Sequence, residues 1–384
     1  MKVLIASSAT GGHIYPALAI AGEIKRRDPE AGILFVGAKW EIGKDIVKEA
    51  GYRQAFIDVS GIDRRNPVKA LRALAGLARA SREISGILRE FKPDVCIGTG
   101  GHVAGPVVRE AKKAGVRTLI QEQNVIPGMA NKLAERYADL VFVGFEEAAG
   151  YFRDKTKVIV SGNPVRADFA EAALRRGELR AKYGVRDEEF CVLFFGGSQG
   201  AAAINAAAVE TVRRAAEADA DSTERTDGAM AAEGGSASCR YIIITGRGYY
   251  DEVCRTLAET APFAAGQTVI EYSDRIYELF AAADLIVSRS GALTVAEIAQ
   301  SGKASILIPS PNVTNNHQYY NARALADAGA AVLMPEDEIR EGGLAREIKR
   351  IAEDPKALES MGMAARAIAK EGAAKVIVDA IFGS

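Results

Sequence analysis

Phe190-Cys191-Val192-Leu193-Phe194-Phe195-Gly196-Gly197-Ser198-Gln199-Gly200 runs from an unbroken apolar stretch straight into glycine. Six apolar residues without polar alternation read as a strand covered on both faces, as in a parallel sheet. The glycines that follow let the chain turn sharply and bring backbone close to a ligand. The N–H groups of the helix after such a turn favour an anion. The same grammar opens the chain, where Val3-Leu4-Ile5-Ala6 leads into Ser7-Ser8-Ala9-Thr10-Gly11-Gly12-His13 and a helical pattern from Pro16. It recurs at Gly98-Thr99-Gly100-Gly101-His102, and at Ser288-Arg289-Ser290-Gly291-Ala292 ahead of a helical pattern ending at Ser301. One such loop is weak evidence, because any tight strand-to-helix turn can use glycine. Four, each at the carboxyl end of an expected parallel strand, point to phosphate-bearing ligands.

Working outward, short β-branched runs alternate with longer helical patterns. Val3–Ala6, Ile33–Val36, Val95–Ile97, Thr118–Ile120, Leu140–Val143 and Lys157–Val160 read as the strands of a first half. Phe190–Phe195, Tyr241–Thr245, Thr268–Ile270, Leu285–Val287 and Ser305–Ile308 form a second set. Alternation of this kind predicts βαβ units, hence an α/β fold with parallel sheets. The chain has 384 residues, which suggests two domains. The joint is placed at Gly162-Asn163-Pro164-Val165, where proline stiffens the backbone. The expected division is 1–163, then 164–365, then a helix in 366–384 with Val376, Ile377 and Ile381 able to dock and Gly383 closing it. The stretch 215–238 has little apolar content and reads as a mobile surface insertion. Its Asp219-Ala220-Asp221 has the spacing of a metal-binding pair, but a low-complexity loop offers no rigid supporting shell. No metal and no cofactor is expected.

Composition sets outer limits. Hydrophobic content of 48% with 26% charge fits a globular chain with a large core, and a net charge of −1 argues against a nucleic-acid binder. Cys96, Cys191, Cys239 and Cys254 form no CxxC pair, which fits a reducing compartment. The apolar start Val3–Ala6 is too short for a signal peptide, and no run approaches the roughly 20 residues of a membrane span. A cytosolic chain is expected.

The polar candidates cluster in the same loops. The only three histidines are His13, His102 and His317, each beside glycine or asparagine, and their near-neutral titration suits proton transfer or phosphate contacts. Glu297 lies seven positions after Ser290, on the same helical face, where a carboxylate could accept from two ribose hydroxyls; the competing reading is a surface glutamate. Arg166 could pair with phosphate or form a structural salt bridge. No loop fits GxxxxGK[ST], and none gives GxGxxG with an acid about 20 residues on, so a P-loop is excluded and a dinucleotide enzyme is a runner-up. From Arg64 to Lys92 the chain is locally cationic. Arg65, Lys69, Arg72 and Arg79 fall on one helical stripe and Leu71, Leu74, Leu77 and Ile84 on another. That pattern suits core packing, attraction to anionic lipid, or both, at roughly 1 kcal/mol per basic residue near a membrane surface.

Taken in order, the motifs resemble a known family over nearly the whole chain. They are Thr10-Gly11-Gly12-His13, Gly100-Gly101-His102, Gln121-Glu122-Gln123-Asn124, Gly162-Asn163-Pro164-Val165-Arg166, Gly196-Gly197-Ser198-Gln199-Gly200-Ala201, Arg289 through Glu297, and Asn316-His317-Gln318-Tyr319-Tyr320-Asn321-Ala322. The chain is similar to the MurG family of UDP-N-acetylglucosamine transferases that make lipid II in peptidoglycan synthesis. The resemblance implies a GT-B fold, two Rossmann-like domains facing across a cleft, with the last helix returning to the first. It implies inverting transfer of N-acetylglucosamine (GlcNAc) from UDP to the muramyl 4-hydroxyl of lipid I, at the cytoplasmic face of the bacterial membrane. By the same resemblance Ser198 and Gln199 contact phosphate or sugar, backbone near Ser273 the uracil, and Glu297 the ribose. Ala292, Leu293, Thr294, Val295 and Ala296 line the pyrophosphate, and Gln318 the sugar. Asn124 and Arg166 reach the donor from the first domain and the joint, and Thr10, Gly11 and Gly12 complete that site or face the acceptor. Gly100, Gly101 and His102 are acceptor-side candidates, with His102 standing where the family commonly carries tyrosine. His13 is the candidate base. The rival readings are a diacylglycerol glucosyltransferase of the same fold, a non-catalytic sugar-nucleotide-binding subunit, and an NAD-dependent oxidoreductase.

Overall fold

The computed structural model describes residues 1–8, 10–39, 45–59, 67–197, 199–225, 239–260 and 266–383, with side chains except at 67–75, 77 and 219–225. The chain divides into two compact units. One comprises Met1–Arg166 with Lys370–Ser384, the other Ala167–Ala369.

The first unit carries a seven-stranded sheet of β1 (Lys2–Ser7), β2 (Gly32–Ala38), β3 (Arg53–Ile57), β4 (Val95–Gly100), β5 (Arg117–Glu122), β6 (Leu140–Val143) and β7 (Val158–Val160), in the spatial order 3-2-1-4-5-6-7. Every pairing is parallel. Successive side chains of β1 face opposite ways: Val3 and Ile5 pack with Ile14, Ile20 and Ile24, whereas Leu4 and Ala6 pack with Val103, Val107 and Val108. Both faces are therefore covered, which is why these strands are apolar throughout. The final helix Ala373–Phe382 buries Ile377, Val378 and Ile381 in the Val3–Ile5 layer, each burial worth about 1.5–3 kcal/mol. Val376, expected to dock, is 39% exposed, because the helical stripe runs 377, 378, 381 instead. Gly383 takes the left-handed φ of 76° just past the end.

The second unit carries β8 (Phe190–Phe195), β9 (Cys239–Ile244), β10 (Gln267–Ile270), β11 (Leu285–Ser288), β12 (Ala304–Leu307) and β13 (Ala331–Leu333), in the order 10-9-8-11-12-13. All of these pairings are parallel too. Val192 and Phe194 meet Ile204, Ala208 and Val212 of the helix Ala202–Arg225. That helix corrects the sequence reading, since 215–225 is helical rather than a mobile insertion. Alanine favours helix, and Glu210 pairs with both Arg213 and Arg214 at the spacing that supports one. The helix passes through Asp219 and Asp221; positions 226–238 lie outside the described residues.

A buried polar knot ties this unit together. Asp284 receives Arg176 at 2.6 Å and Arg180 at 3.0 Å, while Lys303 donates to the carbonyls of Ala281 and Ala283. Burial, with Arg176 beside it, lowers the Lys303 amine from 10.5 to about 7. Between pH 7 and 10.5 the unfolded chain keeps this proton and the folded chain does not, so the contribution of Lys303 to stability rises with pH across that window. Lys303→Met is expected to flatten the rise, seen as a smaller change in urea midpoint between pH 7 and 9.5 than in the parent protein. Equal slopes would remove Lys303 from the account. Among the described residues no helix is long and apolar enough to cross a membrane.

Candidate active site

In an open parallel sheet, ligands bind beyond the carboxyl ends of the strands, where the strand order reverses. The first sheet reverses between β1 and β4, and the second between β8 and β11. The four glycine loops follow these four strands: Thr10–His13 after β1, Gly100–His102 at the end of β4, Gly196–Gly200 after β8, and Ser290–Ala292 after β11.

At the first reversal, Thr10 has extended backbone and its carbonyl accepts from the N–H groups of His13 and Ile14, starting the helix Gly11–Arg27. The His13 ring packs closely against the end of β4. A Cβ on Gly100, whose φ is 115°, would sit 2.7 Å from His13 Nδ1, so only glycine allows this approach. A Cβ on Gly101 would likewise overlap Ser8 Oγ, which lies 3.3 Å from His102 Nδ1. Thr99 Oγ1 donates to the His13 carbonyl at 3.0 Å, fastening the start of the helix to the end of β4.

Gln121-Glu122-Gln123-Asn124 runs out of the end of β5 and keeps a strand's alternation through Gln123. Gln121 and Gln123 turn toward β4 and Asn163, while Glu122 turns toward the helix Met129–Ala134. His13 Nδ1 lies 3.0 Å from Gln123 Oε1. Gln123 Nε2 reaches the Thr99 carbonyl at 2.6 Å, Gln121 Nε2 reaches Asn163 Oδ1 at 3.1 Å, and Asn163 Nδ2 returns to the Gln123 carbonyl at 2.9 Å. The Glu122 carboxylate accepts from the Asn124 and Gly128 N–H groups at 2.9 and 3.0 Å and from Asn131 Nδ2 at 2.8 Å, which shapes the loop holding Asn124. Each buried donor left without its acceptor here would cost about 1–3 kcal/mol. Arg166 lies with its guanidinium 5.6 Å from the centre of the Tyr15 ring.

In the second unit the Gly196–Gly200 loop is pressed backbone to backbone against the end of β9. A Cβ on Gly200 would lie 2.1 Å from the Thr245 carbonyl oxygen, and one on Gly246 2.5 Å from that of Gln199. Gln199 is exposed on this turn; Ser198 lies outside the described residues. Gly291 has the extended backbone of a helix cap, and its carbonyl accepts from Val295 to start the helix Ala292–Ser301. Ala292, Leu293 and Thr294 form the first turn of that helix, the end at which the helix dipole favours an anion. Ala296 and Glu297 follow half-buried on the same helix. Asn321 donates to the Ser290 carbonyl at 3.2 Å, and one helical turn earlier Gln318 accepts from the Ser310 N–H at 2.9 Å, which orients its amide. Ser273 follows β10, where its hydroxyl accepts from the Arg275 N–H.

The structure thus gathers Thr10, Gly11, Gly12, His13, Gly100, Gly101 and His102 at one reversal. Gln199, Ala292, Leu293, Thr294 and Val295 gather at the other. Arg289, prominent in the sequence motif, points its guanidinium to the Ile308 and Pro309 carbonyls and to Glu336, so it braces the loop. Three features escaped the sequence reading. Gly246 is one, although a glycine directly after the expected strand Tyr241–Thr245 is a legible signal. The link between Gln123 and His13 spans too much chain to be read from spacing. The third is a surface on the helix Met129–Ala134, where Met129 and Leu133 are 55% and 52% exposed beside Tyr151 at 45%. Lys132 lies over the Tyr151 ring, and Arg136, Arg153 and Lys157 line the same cavity of about 520 Å³.

Two family models match in order. The glycosyltransferase family 28 N-terminal domain covers residues 3–143 and the C-terminal domain of the same family covers 191–378. A Desulforudis audaxviator protein is 39% identical over 384 residues, spanning 99% of this chain and 98% of its own. A Thermoanaerobacter protein is 38% identical over 378 residues, with 98% of each chain covered. Both are named UDP-N-acetylglucosamine--N-acetylmuramyl-(pentapeptide) pyrophosphoryl-undecaprenol N-acetylglucosamine transferase. Among solved structures, the crystal structure of Acinetobacter baumannii MurG superposes with a TM-score of 0.75 at 23% identity, covering 100% and 99% of the two chains. A Neisseria meningitidis UDP-GlcNAc 2-epimerase bound to UDP-GlcNAc reaches 0.69 at 14% identity, covering 100% of both chains. At these identities the two superpositions establish the fold.

Proposed function

This chain belongs to glycosyltransferase family 28, and from that membership we propose that it transfers N-acetylglucosamine from UDP-GlcNAc to the muramyl 4-hydroxyl of lipid I, yielding lipid II and UDP. The observation that carries the reading is identity of 38–39% along essentially the full length of transferases bearing that name. The placement of all four glycine loops at the two strand-order reversals supports it.

The chemistry divides between the units. In the first, His13 Nε2 takes the proton of the acceptor hydroxyl as its oxygen attacks the anomeric carbon of GlcNAc. The bond from that carbon to the β-phosphate oxygen breaks with inversion, its electron pair leaves with UDP, and the imidazolium passes its proton to solvent. Gly100, Gly101 and His102, with Thr10, Gly11 and Gly12, hold the acceptor pyrophosphate against backbone. In the second unit, the first turn of the helix Ala292–Ser301, with Ser198 and Gln199, stabilises the departing pyrophosphate charge. Glu297 accepts the ribose hydroxyls, backbone near Ser273 meets the uracil, Ala296 packs beneath the nucleotide and Gln318 contacts the sugar. Asn124 and Arg166 add hydroxyl and phosphate contacts. No metal or cofactor enters these steps.

Glu297→Ala is expected to raise KM for UDP-GlcNAc about 10–100-fold with kcat within about threefold, because the ribose contact is made equally before and during transfer. Unchanged KM would take Glu297 out of the site. Offering UDP-GlcNAc and UDP-glucose with either lipid I or diacylglycerol tests the function itself. Transfer only from UDP-GlcNAc to lipid I is expected, whereas transfer only to diacylglycerol would establish the rival enzyme.

A lipid-linked acceptor calls for contact with the cytoplasmic face of the membrane. The cationic stretch 64–92 is assigned to that contact from its sequence: Arg79, Arg82 and Arg89 are exposed, while Arg64 and Arg65 and the side chains of Lys69, Leu71, Arg72, Leu74 and Leu77 lie outside the described residues. The exposed Met129, Leu133 and Tyr151 share a cavity with Lys132, Arg136, Arg153 and Lys157, against which stand the two carboxylates Glu135 and Asp154, and add apolar contact with a net basic lining in the same unit. Reversing the charge of Arg72 and Arg79 is expected to weaken binding to anionic vesicles about tenfold at low salt. Binding insensitive to both reversals would contradict this attachment.

A further inference from the structure

A histidine that takes a proton must present a nitrogen carrying a lone pair, and which nitrogen that is depends on what the other one touches. Nδ1 of His13 lies 3.0 Å from the side-chain oxygen of Gln123. That contact alone does not fix the tautomer, since an amide can turn either end toward an imidazole. The far end of this amide does fix it. Gln123 Nε2 lies 2.6 Å from the Thr99 carbonyl and 3.2 Å from the Gln121 carbonyl, with Gln121 Oε1 beside it. Two of these three neighbours are main-chain oxygens that can only accept, so the NH2 end must face them. The third is fixed as well. Gln121 spends its own NH2 on Asn163 Oδ1 at 3.1 Å and on the Glu122 carbonyl at 3.2 Å, leaving its oxygen toward Gln123. Asn163 in turn donates to the Gln123 carbonyl at 2.9 Å.

Turning the Gln123 amide over would set its oxygen against three others, at a position only 1% exposed. Every amide in the chain Asn163, Gln121, Gln123 is thereby oriented, and the chain ends on an oxygen that accepts from His13. We infer that Gln123 is a positioning residue that holds His13 with its proton on Nδ1 and its lone pair on Nε2, the form required of a base acting through Nε2. The inference rests on the assignment of His13 as the base. Its physical content, the tautomer, can be measured without turnover.

The test is a long-range 1H–15N correlation spectrum of the full chain labelled with 15N-histidine. Only three histidines are present, and His13→Gln identifies the signal of interest. Protonation at Nδ1 is expected for neutral His13 in the parent protein. In Gln123→Leu the His13 signals should move toward the Nε2–H form, with kcat lowered about 10–100-fold and KM for UDP-GlcNAc within about twofold. In Gln123→Glu, which keeps an acceptor and adds charge, the Nδ1–H form should return and the acid limb of the pH–kcat profile should move to higher pH. An Nε2–H signal in the parent protein would overturn the inference. So would a Gln123→Leu protein that loses kcat while His13 keeps its Nδ1–H signal, since glutamine would then be only structural. If His13→Gln keeps full turnover, the base assignment fails by itself, and the spectrum still decides whether Gln123 sets the tautomer.

Discussion

His13→Ala is expected to lower kcat about 10²–10⁴-fold, with KM for UDP-GlcNAc within a few-fold. The size follows from the step assigned to the ring. A sugar hydroxyl is a poor nucleophile while it holds its proton, and a positioned imidazole removes that proton as the bond to the anomeric carbon forms. The selectivity for kcat follows from the division of labour, since the donor contacts assigned here lie mainly in the second unit and the alanine leaves them intact. The ring is half-buried against Gly100, so its loss also removes packing, and the variant must first be shown to unfold at nearly the parent temperature. A folded His13→Ala protein with unchanged kcat would require another base.

The second large effect is expected at Gly200→Ala. Its φ of 78° is left-handed, costing an alanine about 1–2 kcal/mol. The added methyl would stand 2.1 Å from the Thr245 carbonyl oxygen, a main-chain atom that cannot swing aside. Relieving that overlap costs about 1–3 kcal/mol more. With about 2–4 °C lost per kcal/mol for a unit of this size, the second unit should melt about 5–20 °C lower, and UDP binding should weaken as the loop shifts. Gly197→Ala is the control. Its φ of 90° carries the backbone strain, but among the described residues a methyl there meets nothing within 4 Å, so a smaller loss is expected. Equal losses for the two would show that strain alone, and not the close approach of the two backbones, makes glycine necessary at position 200.

Where burial is two-sided, the fold is legible in the sequence. β1, β4, β8 and β11 are apolar on both faces, and that makes a strand visible in sequence. β3 and β13 lie at sheet edges. Arg53 and Gln54 keep one polar and solvated, and the other has only three residues, so neither produced a run to recognise. The stretch 215–225 departs from its reading for a related reason: low apolar content signals disorder only when helix propensity is low as well, and here alanine and the Arg213–Glu217 pair that reaches into the stretch favour helix. The glycine loops could be read because their chemistry is local. The amide chain from Asn163 through Gln121 and Gln123 to His13 could not, because it joins three segments and each glutamine by itself resembles any other. Arg289 shows the converse, a residue conspicuous in its motif whose guanidinium is occupied with bracing carbonyls.

The most direct test is the product made by the purified chain alone from UDP-GlcNAc and lipid I, with the anomeric configuration read by NMR. Stoichiometric UDP and a β-linked GlcNAc on the muramyl 4-hydroxyl are the predicted result. An α linkage, or UDP release without transfer to lipid I, would contradict the account.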